Sequence, residues 1–197
     1  EFYQTGKQGF LPEMMQQIYD DRVKFKGMMI DAKKKLQKEK DFNERKELQK
    51  TISKCNNMQM NLKITLNSAF GAMGNQHFRF FDQRIAEAIT TSGQLSIKWI
   101  EKEINRYLNE LLKTDKDYVV AVDTDSVYIT MNDLVVSVYG DKELDKNKVI
   151  DFLDKVCSEQ MEKIIDKSYE KLADYMNAFD QKMVMKRENL ADKALWT

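Results

Sequence analysis

The chain has 197 residues, and its 32 basic and 32 acidic side chains cancel, so net charge identifies no partner. A single histidine, His77, excludes a His-built metal site and most His-dependent triads. Two isolated cysteines, Cys55 and Cys157, give no disulfide framework or thiolate metal spacing; they fit a reduced, intracellular setting, and no apolar run is long enough to span a bilayer.

The charge is unevenly distributed. Residues 1–75 carry 14 basic and 9 acidic side chains, and the remainder carries 18 and 23. A basic front and an acidic back suit a polyanion gripped at one end and cations held at the other. The chain starts without Met, in what reads as mid-hairpin, and is expected to be a piece of something longer.

Glu1–Thr5 and Phe10–Leu11 flank Gly-Lys-Gln-Gly, which predicts a short hairpin or irregular loop. Pro12, the only proline, and Glu13 mark a helix start. Met14, Ile18, Phe25, Met29, Ala32 and Leu36 then form an apolar stripe of helical period, to about Glu39. Asp41-Phe-Asn43 breaks the pattern, with Asn43 as candidate N-cap. Leu48, Ile52, Cys55, Gln59, Leu62, Leu66 and Ala69 follow at alternating spacings of 4 and 3. Two long helices across a short break predict an antiparallel helical hairpin. A bare arm for protein contacts would have the same stripes.

The flanks of those stripes carry more specific chemistry. Arg22 and Lys26 lie one turn apart on one edge of the first helix, and Lys63, Asn67 and Phe70 share one side of the second. Two cations on one helix and one on its antiparallel neighbour can converge on a single polyphosphate.

Gly71 and Gly74 end the second helix, and Asn75–Phe81 is an aromatic-rich connection. A third helix is expected over residues 83–113, with Ile85, Ala88, Ile89, Ser92, Leu95, Trp99, Ile104, Leu108 and Leu111 inward. Tyr118–Thr130 then reads as two β-branched strands, with Val119, Val120, Val122, Val127 and Ile129 suited to a half-buried sheet. Asp-Thr-Asp-Ser between them holds Asp123 and Asp125 in the turn. Carboxylates at the tip of a rigid hairpin suit a hard divalent cation, although the same residues also make a good turn without one.

A short charged connection is expected through Asp145, then a helix over residues 148–176 built on Val149, Phe152, Val156, Met161, Ile164, Ile165 and Leu172. Met183–Glu188 alternates like a strand and ends at Glu188, a third carboxylate. The pattern predicts a predominantly helical α+β fold with a boundary near Gly74.

Lys63-Ile-Thr-Leu-Asn67-Ser68-Ala-Phe70-Gly71 resembles the fingers motif of family B DNA polymerases, Lys-x-x-x-Asn-Ser-x-Tyr-Gly. Asp123-Thr124-Asp125-Ser126 resembles the palm metal motif of the same family, in the same order along the chain. The segments Phe-Arg-Phe-Phe-Asp and Ala-Ile-Thr-Thr-Ser-Gly-Gln are similar to the replicative polymerases of large tailed bacteriophages.

The resemblance implies antiparallel helical-hairpin fingers over residues 1–74, and over 75–197 a partial palm with a carboxylate hairpin and long packing helices. It implies template-directed nucleotidyl transfer to a primer 3′-hydroxyl with two Mg²⁺ ions, for which Mn²⁺ can substitute. Arg22, Lys26 and Lys63 match positions that grip the incoming triphosphate, and Asn67 and Phe70 positions that line the nascent base pair. Asp125, with Asp123 beside it, matches the catalytic metal carboxylates, and Glu188 matches a nearby palm acid. The implied partners are dNTP, primer–template DNA and, through regions outside this chain, a sliding clamp; no membrane is involved. The implied location is intracellular, in the host cytoplasm if the source is viral.

The chain departs from the family pattern at several points. Phe70 replaces Tyr, Val122 stands where Gly is common, and Lys186 stands where relatives carry an acid. The other palm motif, Asp-x-x-Ser-Leu-Tyr-Pro, is absent, so the 197-residue chain is expected not to polymerise DNA by itself. Competing readings are a sugar-nucleotide glycosyltransferase using Asp-x-Asp and a non-enzymatic helical interaction module. Neither gives the Lys63–Gly71 motif a role.

Overall fold

The computed structural model describes residues 6–140 and 145–194. Most of them are helical, and the sheet found among them has two antiparallel strands, an α+β composition. The chain divides into two compact units, Glu1–Ala88 and Ile89–Thr197.

The first unit is dominated by α1 (Phe10–Lys38) and α2 (Phe42–Met73), which pack together across a three-residue connection. α1 starts before Pro12, which lies inside the first turn where no intrahelical N–H is required. The N-cap of α2 is Asp41 rather than Asn43. Its carboxylate accepts the N–H groups of Asn43 and Glu44, both at 2.9 Å, and its charge favours the positive end of the helix. Arg45 closes the connection by donating to the carbonyls of Leu36 (3.0 Å) and Glu39 (2.8 Å).

The expected α2 stripe is the observed one: Cys55 and Gln59 are buried, and Leu48, Ile52, Leu62, Leu66 and Ala69 are half-buried. On α1 the stripe runs through Leu11, Met15, Ile18, Arg22, Phe25, Met29, Ala32 and Leu36. Met14 is instead 44% exposed. Both stripes alternate 4 and 3, the spacing at which two helices interdigitate side by side.

The second unit is built around α3 (Gln83–Leu112), whose residues 83–88 belong to the first unit. Its buried residues are Ser96, Ile97, Ile100, Ile104 and Leu108; Ile85, Ile89 and Leu111, expected inward, are exposed. Lys113 adopts a left-handed φ of 54°, which ends the helix and turns the chain toward β1.

β1 (Val119–Asp123) and β2 (Ser126–Ile129) pair antiparallel, with Val122 opposite Val127 and Asp123 opposite Ser126. A register shift between Val119 and Ala121 leaves Val120 without a partner and 56% exposed, so it is a bulge residue and not part of the packed face. Tyr118, Val119, Ile100, Ile104, Leu108, Ile165, Tyr169 and Leu172 share one core, with Val127 and Ile129 packed against it.

The connection after Thr130 is not irregular throughout. Asn132–Tyr139 forms α4, which buries Leu134 and sets Tyr139 edge-on against Phe152. Residues 1–5 and 141–144 lie outside the described residues; of the hairpin or loop expected at the amino end, residues 6–9 are irregular and Phe10 and Leu11 already belong to the first turn of α1.

The long helix expected next is α5 (Lys146–Val156), a π turn (Cys157–Met161) and α6 (Glu162–Tyr175). Buried Val156 and Met161 are five residues apart, and the π turn absorbs that extra residue while keeping both on the core side.

Met183–Glu188 is not a strand. It has the alternation but no neighbouring strand among the described residues, and the Gln181 side chain takes up the backbone N–H and C=O of Met183 locally. Among the described residues, no helix is long and apolar enough to cross a membrane.

Candidate active site

Arg22 lies in the α1 stripe itself, between Ile18 and Phe25, rather than on its edge. Its stem is half-buried, and its Nε has no hydrogen-bond acceptor within the protein. A buried guanidinium N–H without an acceptor is costly. Lys26, one turn on, is exposed.

On α2, Lys63, Asn67 and Phe70 are all exposed, Phe70 at 40%. Their spacing of 4 and 3 spreads them over about 10 Å of one flank at 1.5 Å per residue. Among the described residues, neither Lys26 nor Lys63 is held in an ion pair. The first unit thus presents uncommitted cations and a neighbouring amide and aromatic ring.

In the second unit, Asp123 and Asp125 are exposed at the tip of the β1–β2 hairpin. The loop is Thr124-Asp125 alone, because Asp123 pairs directly with Ser126. Thr124 takes a left-handed φ of 50°, a conformation that a β-branched residue rarely adopts. Its hydroxyl donates to Asp123 Oδ1 at 3.1 Å, and the Ser126 hydroxyl donates to the Asp123 carbonyl at 3.1 Å. Val122 sits in extended backbone within β1, where a β-branched side chain is comfortable.

Tyr169 of α6 packs in the core of this unit at 4% exposure. Burial raises its phenol pKa, and the nearby Asp125 charge raises it further.

Glu188 is exposed on irregular backbone. The preceding Arg187 is paired with Asp154, and its N–H donates to Glu162 Oε1 at 3.4 Å, tying the segment to α5 and α6. Among the described residues, no three of His, Cys, Asp and Glu converge as a metal cage, so Glu188 does not complete a closed set with Asp123 and Asp125. Two exposed carboxylates nevertheless fit Mg²⁺, which commonly takes one or two of them and shares the rest of its shell with water and substrate phosphates.

A sequence profile of DNA polymerase family B matches residues 2–142. The chain belongs to DNA polymerase family B. It is 41% identical over 146 residues to the DNA-directed DNA polymerase of Enterobacteria phage T4, covering 74% of this chain and 16% of that protein. It is 42% identical over 138 residues to the DNA-directed DNA polymerase of Escherichia phage RB69, covering 70% and 15%. A protein named DNA polymerase beta, from African swine fever virus isolate Pig/Kenya/KEN-50/1950, is 29% identical over 160 residues, covering 79% and 12%. The chain therefore spans about a sixth of the length of the phage relatives it matches. Membership leaves the glycosyltransferase and bare interaction-module readings without support.

Sequence reasoning placed Arg22 beside the stripe when it belongs in it. The seven-residue gap between Ile18 and Phe25 was the available signal, since a 4–3 repeat puts one residue there, at position 22. It also missed Thr124, whose left-handed backbone no composition rule anticipates for a β-branched residue.

Proposed function

We propose that this chain is the nucleotide-gripping fingers and part of the catalytic palm of a template-directed DNA polymerase. The observation that carries the reading is the ordered pair of motifs: Lys63–Gly71 on the exposed flank of α2, then Asp123–Ser126 at a two-residue hairpin turn. The fingers are α1 and α2, and the partial palm is the β1–β2 hairpin with the helices that support it.

Arg22, Lys26 and Lys63 bind the triphosphate of an incoming dNTP. Arg22 contributes a guanidinium whose partly buried stem fixes its aim, while the lysines act as mobile point charges. Asn67 and Phe70 line one side of the nascent base pair; Phe70, without a hydroxyl, offers shape and apolar contact alone. Pairing with the template selects the base, because one set of side chains cannot match four different bases.

Asp123 and Asp125 would hold divalent metal, Mg²⁺ or Mn²⁺, with Glu188 an outlying carboxylate on the same unit. When bound, such a metal would supply charge neutralisation for the triphosphate and Lewis acidity toward the primer 3′-hydroxyl. The protein's contribution is to orient carboxylate oxygens on a stiff hairpin and to bind the nucleotide's phosphates on the helical arm. Primer–template DNA is the partner.

Calorimetric titration with each Mg·dNTP tests the reading. All four nucleotides are expected to bind alike, and the Arg22→Ala/Lys63→Ala double variant to bind at least about tenfold more weakly, which corresponds to about 1.4 kcal/mol. Equal binding by the double variant would overturn the assignment.

A further inference from the structure

The geometry points to Thr124 as a positioning residue, whose hydroxyl fixes the rotamer of Asp123 so that the other carboxylate oxygen is free to face a divalent cation. The inference rests on the reading of Asp123 and Asp125 as metal carboxylates.

Thr124 is a poor choice for its backbone. Its φ of 50° puts a branched Cβ in the left-handed region, where Gly or Asn would sit with little strain. A two-residue hairpin loop normally recruits those residues for that reason. A strained conformation at such a place is held because something else fixes it.

What the threonine side chain makes in return is one bond: Oγ1 donates to Asp123 Oδ1 at 3.1 Å. Neither Gly nor Val can make it. The bond occupies one oxygen of an otherwise exposed carboxylate and limits its rotation. The backbone beneath is held independently by the Asp123–Ser126 pair and by the Ser126 hydroxyl on the Asp123 carbonyl at 3.1 Å. Frame and rotamer are therefore fixed by different groups, which allows them to be separated by substitution. Hydrogen bonds of this kind to a metal-binding carboxylate typically contribute about 10- to 100-fold in metal affinity.

The test uses the 197-residue chain, with Mn²⁺ as the probe, free Mn²⁺ followed by electron paramagnetic resonance and thermal melting recorded for every variant. Thr124→Gly removes the hydroxyl and relieves the backbone, so the melting temperature is expected to rise by about 2–4 °C while Mn²⁺ binding weakens about tenfold. Thr124→Val removes the hydroxyl but keeps the branched carbon, so binding weakens without a gain in melting temperature. Thr124→Ser restores the bond and holds the Mn²⁺ midpoint within about twofold of the parent, a smaller change than the loss of such a bond gives. The valine variant separates the hydroxyl from the backbone freedom that glycine adds, because it loses the bond while keeping the branched carbon.

If Asp125→Asn weakens Mn²⁺ binding while the Val and Gly variants match the parent, the positioning role is overturned and the metal reading stands. If Asp125→Asn itself leaves binding unchanged, the metal reading fails and the positioning role fails with it.

Discussion

Asn105 of α3 accepts the backbone N–H of Tyr118 at 2.8 Å and also that of Val119 at 3.2 Å, through the same side-chain oxygen. Its amide nitrogen donates to Asp117 Oδ1 at 2.7 Å, and that oxygen in turn accepts from Val119 N at 3.2 Å. One side chain therefore fixes where β1 leaves the helix, and so where the carboxylate turn sits. Asn105→Ala strands the partly buried Tyr118 N–H and leaves that of Val119 to Asp117 alone, and is expected to cost about 1–2 kcal/mol. Urea denaturation followed by circular dichroism checks the loss. An unchanged midpoint would mean that water replaces the clamp.

The most deeply buried side chains on α1 and α2 are Ala32, 5% exposed, and Cys55, 3% exposed. Ala32→Leu adds volume there and is expected to destabilise the hairpin by about 1–3 kcal/mol. Lys63→Ala, on the exposed flank, is expected to leave stability within about 0.5 kcal/mol of the parent and to weaken dNTP binding. Melting curves and nucleotide titrations on the two variants separate packing from function.

Acid sensitivity is expected ahead of α3. The Arg84 side chain holds the Asp82 carboxyl below its usual range, and the Arg84 and Ile85 backbone bonds act in the same direction. A lowered folded-state pKa means that the unfolded chain binds more protons between the two values. This stabilisation is fully present above the unfolded carboxyl pKa of about 4 and is lost as pH falls through the folded value. Asparagine caps a helix about as well as aspartate, so Asp82→Asn should melt lower than the parent at pH 7 and alongside it at pH 2–3. Parallel curves at all pH values would contradict the assignment.

What was legible in the sequence follows from what each signal depends on. The 4–3 repeat of Leu48–Ala69 is a local property of one helix against one neighbour, and it predicted the buried face residue by residue. The Asp123–Ser126 turn was readable for the same reason, since its strands adjoin in sequence. Met183–Glu188 shows the opposite case: alternation gives strand pattern, but a strand exists only if another edge is there to pair with it. α4 was missed because Leu-Val-Val-Ser-Val is β-branched; it is nonetheless helical, with Leu134 buried in the core and Asp133 paired to Lys116 at 2.6 Å. For the site, residue identities came from the motifs, whereas the half-buried setting of Arg22 and the strain at Thr124 are tertiary and backbone properties that the motifs do not encode.

The most direct test of the central claim is single-turnover primer extension by a chimera. In it, residues 2–142, the stretch matched by the family profile, replace the corresponding segment of the phage T4 relative, with and without Asp125→Asn. The parent chimera is expected to extend a primer with all four dNTPs. The asparagine variant should bind dNTP as before but extend at least about 1000-fold more slowly, the loss of several kcal/mol of charge stabilisation. Extension by Asp125→Asn at the parent rate would contradict the account.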